Sequence, residues 1–478
     1  MYKLYPTLKV TAQTLLRVFI VLALLLPNTA IAAPAAQVTA QNPTDVAFND
    51  AIALYDVGQW QAALAKFEEV QATYAYYNNR KRNSQSLEYI GHTKAALGDL
   101  DGARAAYQES LTLAQTLGDT AHQAKLQLYL VRTYYDLGQY DTALQSQQSA
   151  LTLAQTLGDQ ELLGKVLLAK GRILLAQGQP NDALTAYQEA LQIARALGNQ
   201  QMVGQSLQGV GGVYETLNQY ELAIAPYQQV LTIAQAFNDP VTEGEALDTM
   251  ANLYQKLGEP QQGLFVYQNA LRAAYSAGNL TMAAKVLLNI GDAYDDLGQG
   301  DKALNAFQQS LELIRTQGDT ALEARALAAI GRLQRDGGDN QAAEETLGQA
   351  LTIAELYNQD ALIGQIRADL AANYRDLGNT DEALTLYRYA LAQGDTANDR
   401  ELQTKALAGL GSIYRTLGQA KQSLPYFERA LALAQESGNR QRQKSILADL
   451  AKTYRDLGET EKALTTYQQA LRFSEDLG

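Results

Sequence analysis

Apolar residues recur along this chain three and four positions apart, in a frame that repeats every 40 residues. Let units begin at 41, 81, 121 and so on to 441. Unit position 7 then holds Leu87, Leu167, Leu207 and Leu247, position 10 holds Ile90, Leu130, Val210 and Met250, and position 14 holds Tyr134, Tyr214, Tyr254 and Tyr294. That spacing places one apolar stripe on a helix. Twenty residues later a second stripe follows, with Ala143, Ala183 and Ala303 at position 23 and Phe67, Tyr107, Tyr187, Phe307 and Tyr467 at position 27. No stretch alternates as a half-buried strand does.

Positions 18 and 38 punctuate the pattern. All eleven units carry Gly or Asn at both, from Gly58 and Asn78 to Gly458 and Gly478. These residues tolerate the left-handed conformation that closes a helix. Each unit therefore predicts two helices, A and B, with a stop after each. The nonapeptide LTLAQTLGD, present at 111–119 and again at 151–159, is the end of helix B with its stop. Acidic or amide residues near the start of helix B (Asp101, Asp141, Asn181, Asp301, Asp381) suit a helix N-terminus. Gly or Ala at position 11 (Gly91, Gly171, Gly211, Ala251, Gly291) leaves room for close helix approach.

Leu, then Gly or Ala, then Tyr on helix A, followed by Ala, Tyr or Phe and Ala on helix B, resembles the tetratricopeptide repeat signature. The segment 410–433, LGSIYRTLGQAKQSLPYFERALAL, shows all of it. The resemblance covers eleven units, from about 44 to 478. The family's usual proline after helix B is missing; Gln115, Gln155, Arg195, Gln235, Arg315 and Glu355 stand there. The chain is thus similar to the forty-residue variant of kinesin light chains and bacterial exported repeat proteins. The resemblance implies an all-α fold, a right-handed α-solenoid of about eleven helix–turn–helix repeats, whose helices A line a concave groove. One helix pair cannot bury its apolar face alone, so the repeats must stack. Pro226 and Pro425 fall inside helix B, where proline kinks a helix. Unit 8 is degenerate (Gln334, Gly337, Glu344, Leu347), which predicts a weak joint across units 7–9.

The first 32 residues fall outside the frame. Lys3, Lys9 and Arg17 precede the apolar run VFIVLALLL at 18–26, and Ala30-Ile31-Ala32 offers a cleavage site. This reads as a signal peptide over 1–32, followed by a linker at 33–43 and the array at 44–478. Nine apolar residues are too few to span a bilayer, so the expected product is exported, periplasmic or secreted, without a transmembrane segment. Removing the signal leaves 35 Lys and Arg against 51 Asp and Glu, a net charge of −16. Such acidity disfavours nucleic acid and anionic membranes. The chain has no cysteine, so packing alone must stabilise an exported fold.

Catalytic patterns are missing. There is no thiol nucleophile. His92 and His122 are thirty residues apart on different helices, which gives no paired-histidine zinc motif. GVGG at 209–212 lies on a helix A without a preceding strand, so it reads as a packing feature. DLDG at 99–102 lacks the later ligands of a calcium loop. YAYYNNRKR at 74–82 reads as a solvated turn between repeats. The sequence points to a non-enzyme without metal or cofactor.

By resemblance, the groove is lined by positions 5, 8, 12, 15 and 16, which share one face of helix A. Units 3–4 are basic there (Lys125, Arg132, Lys165, Arg172). Units 5–7 are acidic (Glu215, Glu245, Asp248, Asp292, Asp295, Asp296). Units 8–11 are basic again (Arg325, Arg332, Arg335, Arg375, Lys405, Arg415, Lys452, Arg455). The zoning predicts a scaffold for a protein or peptide segment of acidic or mixed charge. Position 15, Arg in four successive units, also lies in the last turn of helix A, where a cation favours the helix dipole. The tail-binding clamp of the family needs Asn at positions 8 and 12, and only Asn252 fits. Two alternatives stand beside the scaffold. One is a solenoid that self-assembles through its C-terminal edge. The other is a regulatory arm for a caspase-like or other catalytic domain on a separate chain.

Overall fold

The computed structural model describes residues 42–437 and 440–476. The expected signal peptide and most of the expected linker lie outside them. Among the described residues there are 22 α-helices, from α1 (Pro43–Asp56) to α22 (Thr460–Asp476), and no strand. Odd-numbered helices are the A helices of successive units and even-numbered ones the B helices. Each helix packs on its neighbours in sequence, so eleven helix pairs stack into an all-α solenoid.

The turns follow the punctuation. Every described residue at positions 18 and 38 has positive φ, at Gly and at Asn78, Asn218, Asn238, Asn358 and Asn398 alike. Helix α4 (Leu100–Thr116) shows the mechanism. It ends at Leu117 and Gly118, whose φ is +67°. The Asp119 N–H then donates to the Ala114 carbonyl at 3.0 Å and the Gly118 N–H to Gln115 at 3.1 Å, satisfying the last carbonyls. Asp119 also caps the next helix, accepting from the His122 N–H at 3.0 Å. The same position caps A helices through Asn79, Asp159, Asn199, Asp239, Asn279, Asp319 and Asp399. One Gly or Asn and one Asp or Asn thus stop a helix and start the next.

The core lies between A and B helices. Phe67, Tyr107, Tyr187, Tyr267, Phe307 and Phe427 at position 27 are buried, as are the alanines at positions 23 and 30. Each fully buried large side chain contributes roughly 1.5–3 kcal/mol. The small residue at position 11 makes room for the ring: a Cβ on Gly171 would lie 2.8 Å from the Tyr187 ring, and one on Gly211 2.6 Å from that of Tyr227.

Two expected irregularities are accommodated within the fold. Helices α10 (Tyr220–Ala236) and α20 (Ala420–Glu436) run unbroken through Pro226 and Pro425. The carbonyl that Pro226 leaves without a donor belongs to Leu222, an exposed residue. Unit 8 also packs: Leu347 is fully buried in the aromatic position, against Gly331, and Glu344 accepts from the Tyr374 hydroxyl at 2.8 Å. The buried side-chain oxygens of Gln334 and Asn340 in this unit have no hydrogen bond.

Candidate functional site

Successive A helices touch one another at most steps of the array, whereas successive B helices do not. The A helices therefore form the shorter, inner rail of the curve. Many side chains at positions 5, 12, 15 and 16 are solvent-accessible on this rail, whereas position 8 is buried at Leu168, Asp248, Leu288, Ala328 and Ala368.

On it the acidic and basic zones interlock. Asp248, only 4% exposed, accepts from Asn289 Nδ2 at 2.8 Å and lies 3.2 Å from Lys285 Nζ. Asn289 Oδ1 in turn accepts from Arg325 at 3.1 Å. Arg325 reaches Asp292 at 3.0 Å, and Arg332 reaches Asp292 at 3.4 Å and Asp295 at 3.3 Å. Further along, Asp369 holds Lys405 at 2.6 Å and Arg335 at 3.6 Å. These links cross from one repeat to the next, so the boundary expected to be a weak joint is tied by ion pairs.

The rest of the arginine ladder is paired too. Arg335 lies 2.6 Å from Asp336 and Arg375 2.7 Å from Asp376. Arg415 and Arg455 share Asp456 at 3.4 and 3.1 Å, and Lys452 meets Asp449 at 2.9 Å. All eight cations predicted for the groove in units 8–11 thus face a carboxylate of the chain itself. In units 3–4, Lys165 meets Glu161 at 2.6 Å, Arg132 lies 3.8 Å from Asp136, and Arg172 covers the Tyr135 ring at 5.2 Å. Lys125 adds its charge to the field around Glu88.

Of the acidic set, Glu215 accepts from the Tyr227 hydroxyl at 2.7 Å and lies 3.6 Å from Lys256. Burial first, then Glu215, pushes the Tyr227 hydroxyl far above its ordinary range. Among the described residues no cation lies within ion-pairing distance of Glu245 or Asp296. Asp296 touches solvent, but the inner curve crowds it. Burial, then the carboxylates of Asp292 and Asp295, raise its carboxyl above the ordinary value.

The paired cations shift as the geometry dictates. Burial pushes Lys405 below its ordinary value, and Asp369 only partly offsets this. Burial opposes the charge of Arg332, yet Asp369, Asp292 and Asp295 together hold it above its ordinary value. Asp295, Asp296, Arg332, Asp369 and Lys405 line one open polar cleft of about 420 Å³.

The sequence reading missed position 9, where Asn289 and Asp369 organise these networks. A polar residue among small and apolar ones was the available signal. It also missed that His92 and His122 converge: His92 Nε2 lies 3.5 Å and His122 Nδ1 3.6 Å from the Glu88 carboxylate. Among the described residues no group of three His, Cys, Asp or Glu is arranged to hold a metal ion, and no helix is long and apolar enough to cross a membrane. In the segment 74–82, Tyr74 is buried, Arg82 pairs with Asp45 at 3.1 Å, and Tyr76 and Tyr77 are exposed.

Residues 82–156, 122–196, 162–236, 242–316, 282–356, 362–435 and 402–476 match the tetratricopeptide repeat family. No curated protein matches the chain. Among solved structures it is similar to a Rap protein complexed with competence and sporulation factor, at 18% identity over 74% of this chain and 98% of that one, with a TM-score of 0.53. It is also similar to the apo quorum sensor NprR of B. thuringiensis (17%, 71% and 99%, 0.52). A third is the Rap conjugation gene regulator of plasmid pLS20 in complex with the Phr* peptide (14%, 74% and 95%, 0.52). At these identities the likeness shows the fold.

Proposed function

Because the chain belongs to the tetratricopeptide repeat family, we propose that it is a protein-interaction scaffold whose inner rail of A helices receives an extended segment of a partner protein. The observation that carries this reading is the rail itself, whose inner curve carries clusters of charged side chains, acidic at Asp292, Asp295 and Asp296 and basic at Arg325, Arg332 and Arg335. Rap proteins of like fold hold a sporulation factor or a Phr* peptide, which supports a peptide-sized occupant. We further propose export, on the signal-like residues 1–32.

The pairing along the rail bears on the partner's charge. An exposed ion pair contributes roughly 0.2–1 kcal/mol, and Arg375, Arg415 and Arg455 must exchange an internal carboxylate for a partner's. Glu245 and Asp296 need no such exchange. The fitting segment therefore has mixed charge, with cations over units 5–7 and acids over units 8–11.

The test is capture from the exported fraction with the chain as bait, beside two variants. One carries Arg375→Glu, Arg415→Glu and Arg455→Glu; the other carries Glu245→Lys and Asp296→Lys. The proposal expects a partner held by the parent chain and weakened by both variants, more so at high salt. Equal retention on all three baits, independent of salt, contradicts it.

A further inference from the structure

We infer that the step between units 5 and 6 holds a socket for one long apolar side chain of the partner segment, Met or Leu, with a Lys or Arg beside it. This rests on the reading that the A-helix rail receives a protein segment, and it specifies where that segment anchors.

The socket is a place where the packing rule of the repeat fails. Position 4 of an A helix forms a hole, and position 2 of the next A helix supplies the knob that fills it. A Cβ on Gly164 would lie 2.5 Å from the Met202 sulfur, and one on Gly244 2.7 Å from the Met282 methyl; Gly364 faces Leu402 in the same way. The knobs are fixed by their caps. The Met202 and Met282 N–H groups donate to Asn199 and Asn279, each at 3.0 Å.

Between units 5 and 6 the hole is Gly204 and the knob position holds Thr242. The cap is intact, with the Thr242 N–H donating to Asp239 at 3.1 Å. The hydroxyl, however, turns back to the same carboxylate at 2.6 Å, and no long side chain enters the hole. Nothing lies within 4 Å of where a Cβ on Gly204 would stand. Gly164, Gly244 and Gly364 are buried, whereas Gly204 is only half-buried. The A helices α9 (Gln200–Thr216) and α11 (Pro240–Lys256) do not pack together as the A helices on either side of this step do.

The result is a cavity of about 600 Å³ opening onto the rail. Val230 and Ile233 of α10 line it, and Phe237, 65% exposed, stands among the lining residues. Gln201, Gln205 and Gln208 bring amides that can donate to and accept from a peptide backbone. The lining includes two carboxylates, Asp239 and Glu245, and no cation. Two arguments therefore identify the occupant. The chain's own Met202, Met282 and Leu402 fill the equivalent holes, which sets the side chain. The acidic lining, with Glu245 free of any ion pair among the described residues, sets the charge next to it.

The test pans random twelve-residue peptides on phage against the full chain and its Thr242→Met variant in parallel. The variant restores the knob of the adjoining repeats and keeps the Asp239 cap, so its melting temperature should equal or exceed the parent's. The inference expects the parent to enrich peptides that combine Met or Leu with Lys or Arg. Their affinity, read by fluorescence anisotropy, should fall about tenfold or more on Thr242→Met. Replacing the peptide's Met or Leu by Ala should cost as much, and Glu245→Lys should reject the basic peptides; both arms stand even if the methionine variant folds poorly. Peptides that bind parent and Thr242→Met equally overturn the socket and leave the rail as the binding face. A parent chain that enriches no peptide overturns both.

Discussion

Lys405 and Asp369 join the A helices of neighbouring repeats at 2.6 Å, and the carboxylate is only 4% exposed. Asp369 also faces Arg335 at 3.6 Å. Removing it leaves the largely buried Lys405 ammonium without its counter-ion, whereas Arg335 keeps Asp336 at 2.6 Å. Asp369→Ala should therefore destabilise units 8–10 by about 3 kcal/mol. Stacked repeats need not unfold as one unit, so hydrogen exchange is the suitable readout. Faster exchange in α15 (Thr320–Asp336), α17 (Asp360–Asp376) and α19 (Arg400–Thr416) is expected; unchanged rates there would mean that the pair carries no stability.

The glycines of the A helices divide into two kinds. Gly204 faces open space, so Gly204→Ala should stabilise the chain by about 0.5–1 kcal/mol through helix propensity alone. A Cβ on Gly211 meets the Tyr227 ring at 2.6 Å, so Gly211→Ala should cost about 1–3 kcal/mol. Urea midpoints of the two variants should move in opposite directions. A shift in the same direction would contradict the packing described.

Glu88 stands between the only two histidines of the chain. Burial pushes its carboxyl up, but the hydrogen bond to His92 and the charges of His122 and His92 outweigh burial and hold it below its ordinary value. A carboxylate lowered on folding contributes stability above its unfolded pKa and loses it as pH falls through the folded one. The stability difference between the parent and Glu88→Gln should then shrink as pH falls from about 5 toward 3. Urea denaturation at several pH values measures it, and a difference independent of pH would refute the assignment.

The proposed export predicts a mature product that begins at Ala33. N-terminal sequencing of protein from the exported fraction tests this directly. A start at Met1 there would remove the proposed cleavage.

The stops were legible because a left-handed residue is a local requirement: Asn218, with φ of 55°, sits where fifteen glycines sit in other turns. The aromatic–glycine packing was legible because both residues recur in register. The caps at position 39 had the same regularity and were overlooked beside the stops. The rail networks were not legible. Asp369 and Lys405 are 36 residues apart, and their meeting depends on the rotation between repeats. The charge zones, read one unit at a time, hid the fact that unit 7 neutralises unit 8. The vacancy at Gly204 becomes visible only once position 2 is known to meet position 4 of the preceding unit.

In the proposed function the inner rail, not the outer surface, meets the partner. Site-specific photocross-linking in the producing cell tests it most directly. One photoreactive residue replaces Gln205, exposed on α9, and another replaces Gln188, exposed on α8 (Pro180–Leu197). A discrete adduct is expected from position 205 and none from position 188. An adduct from 188 with none from 205 would place the partner on the outer face and contradict it.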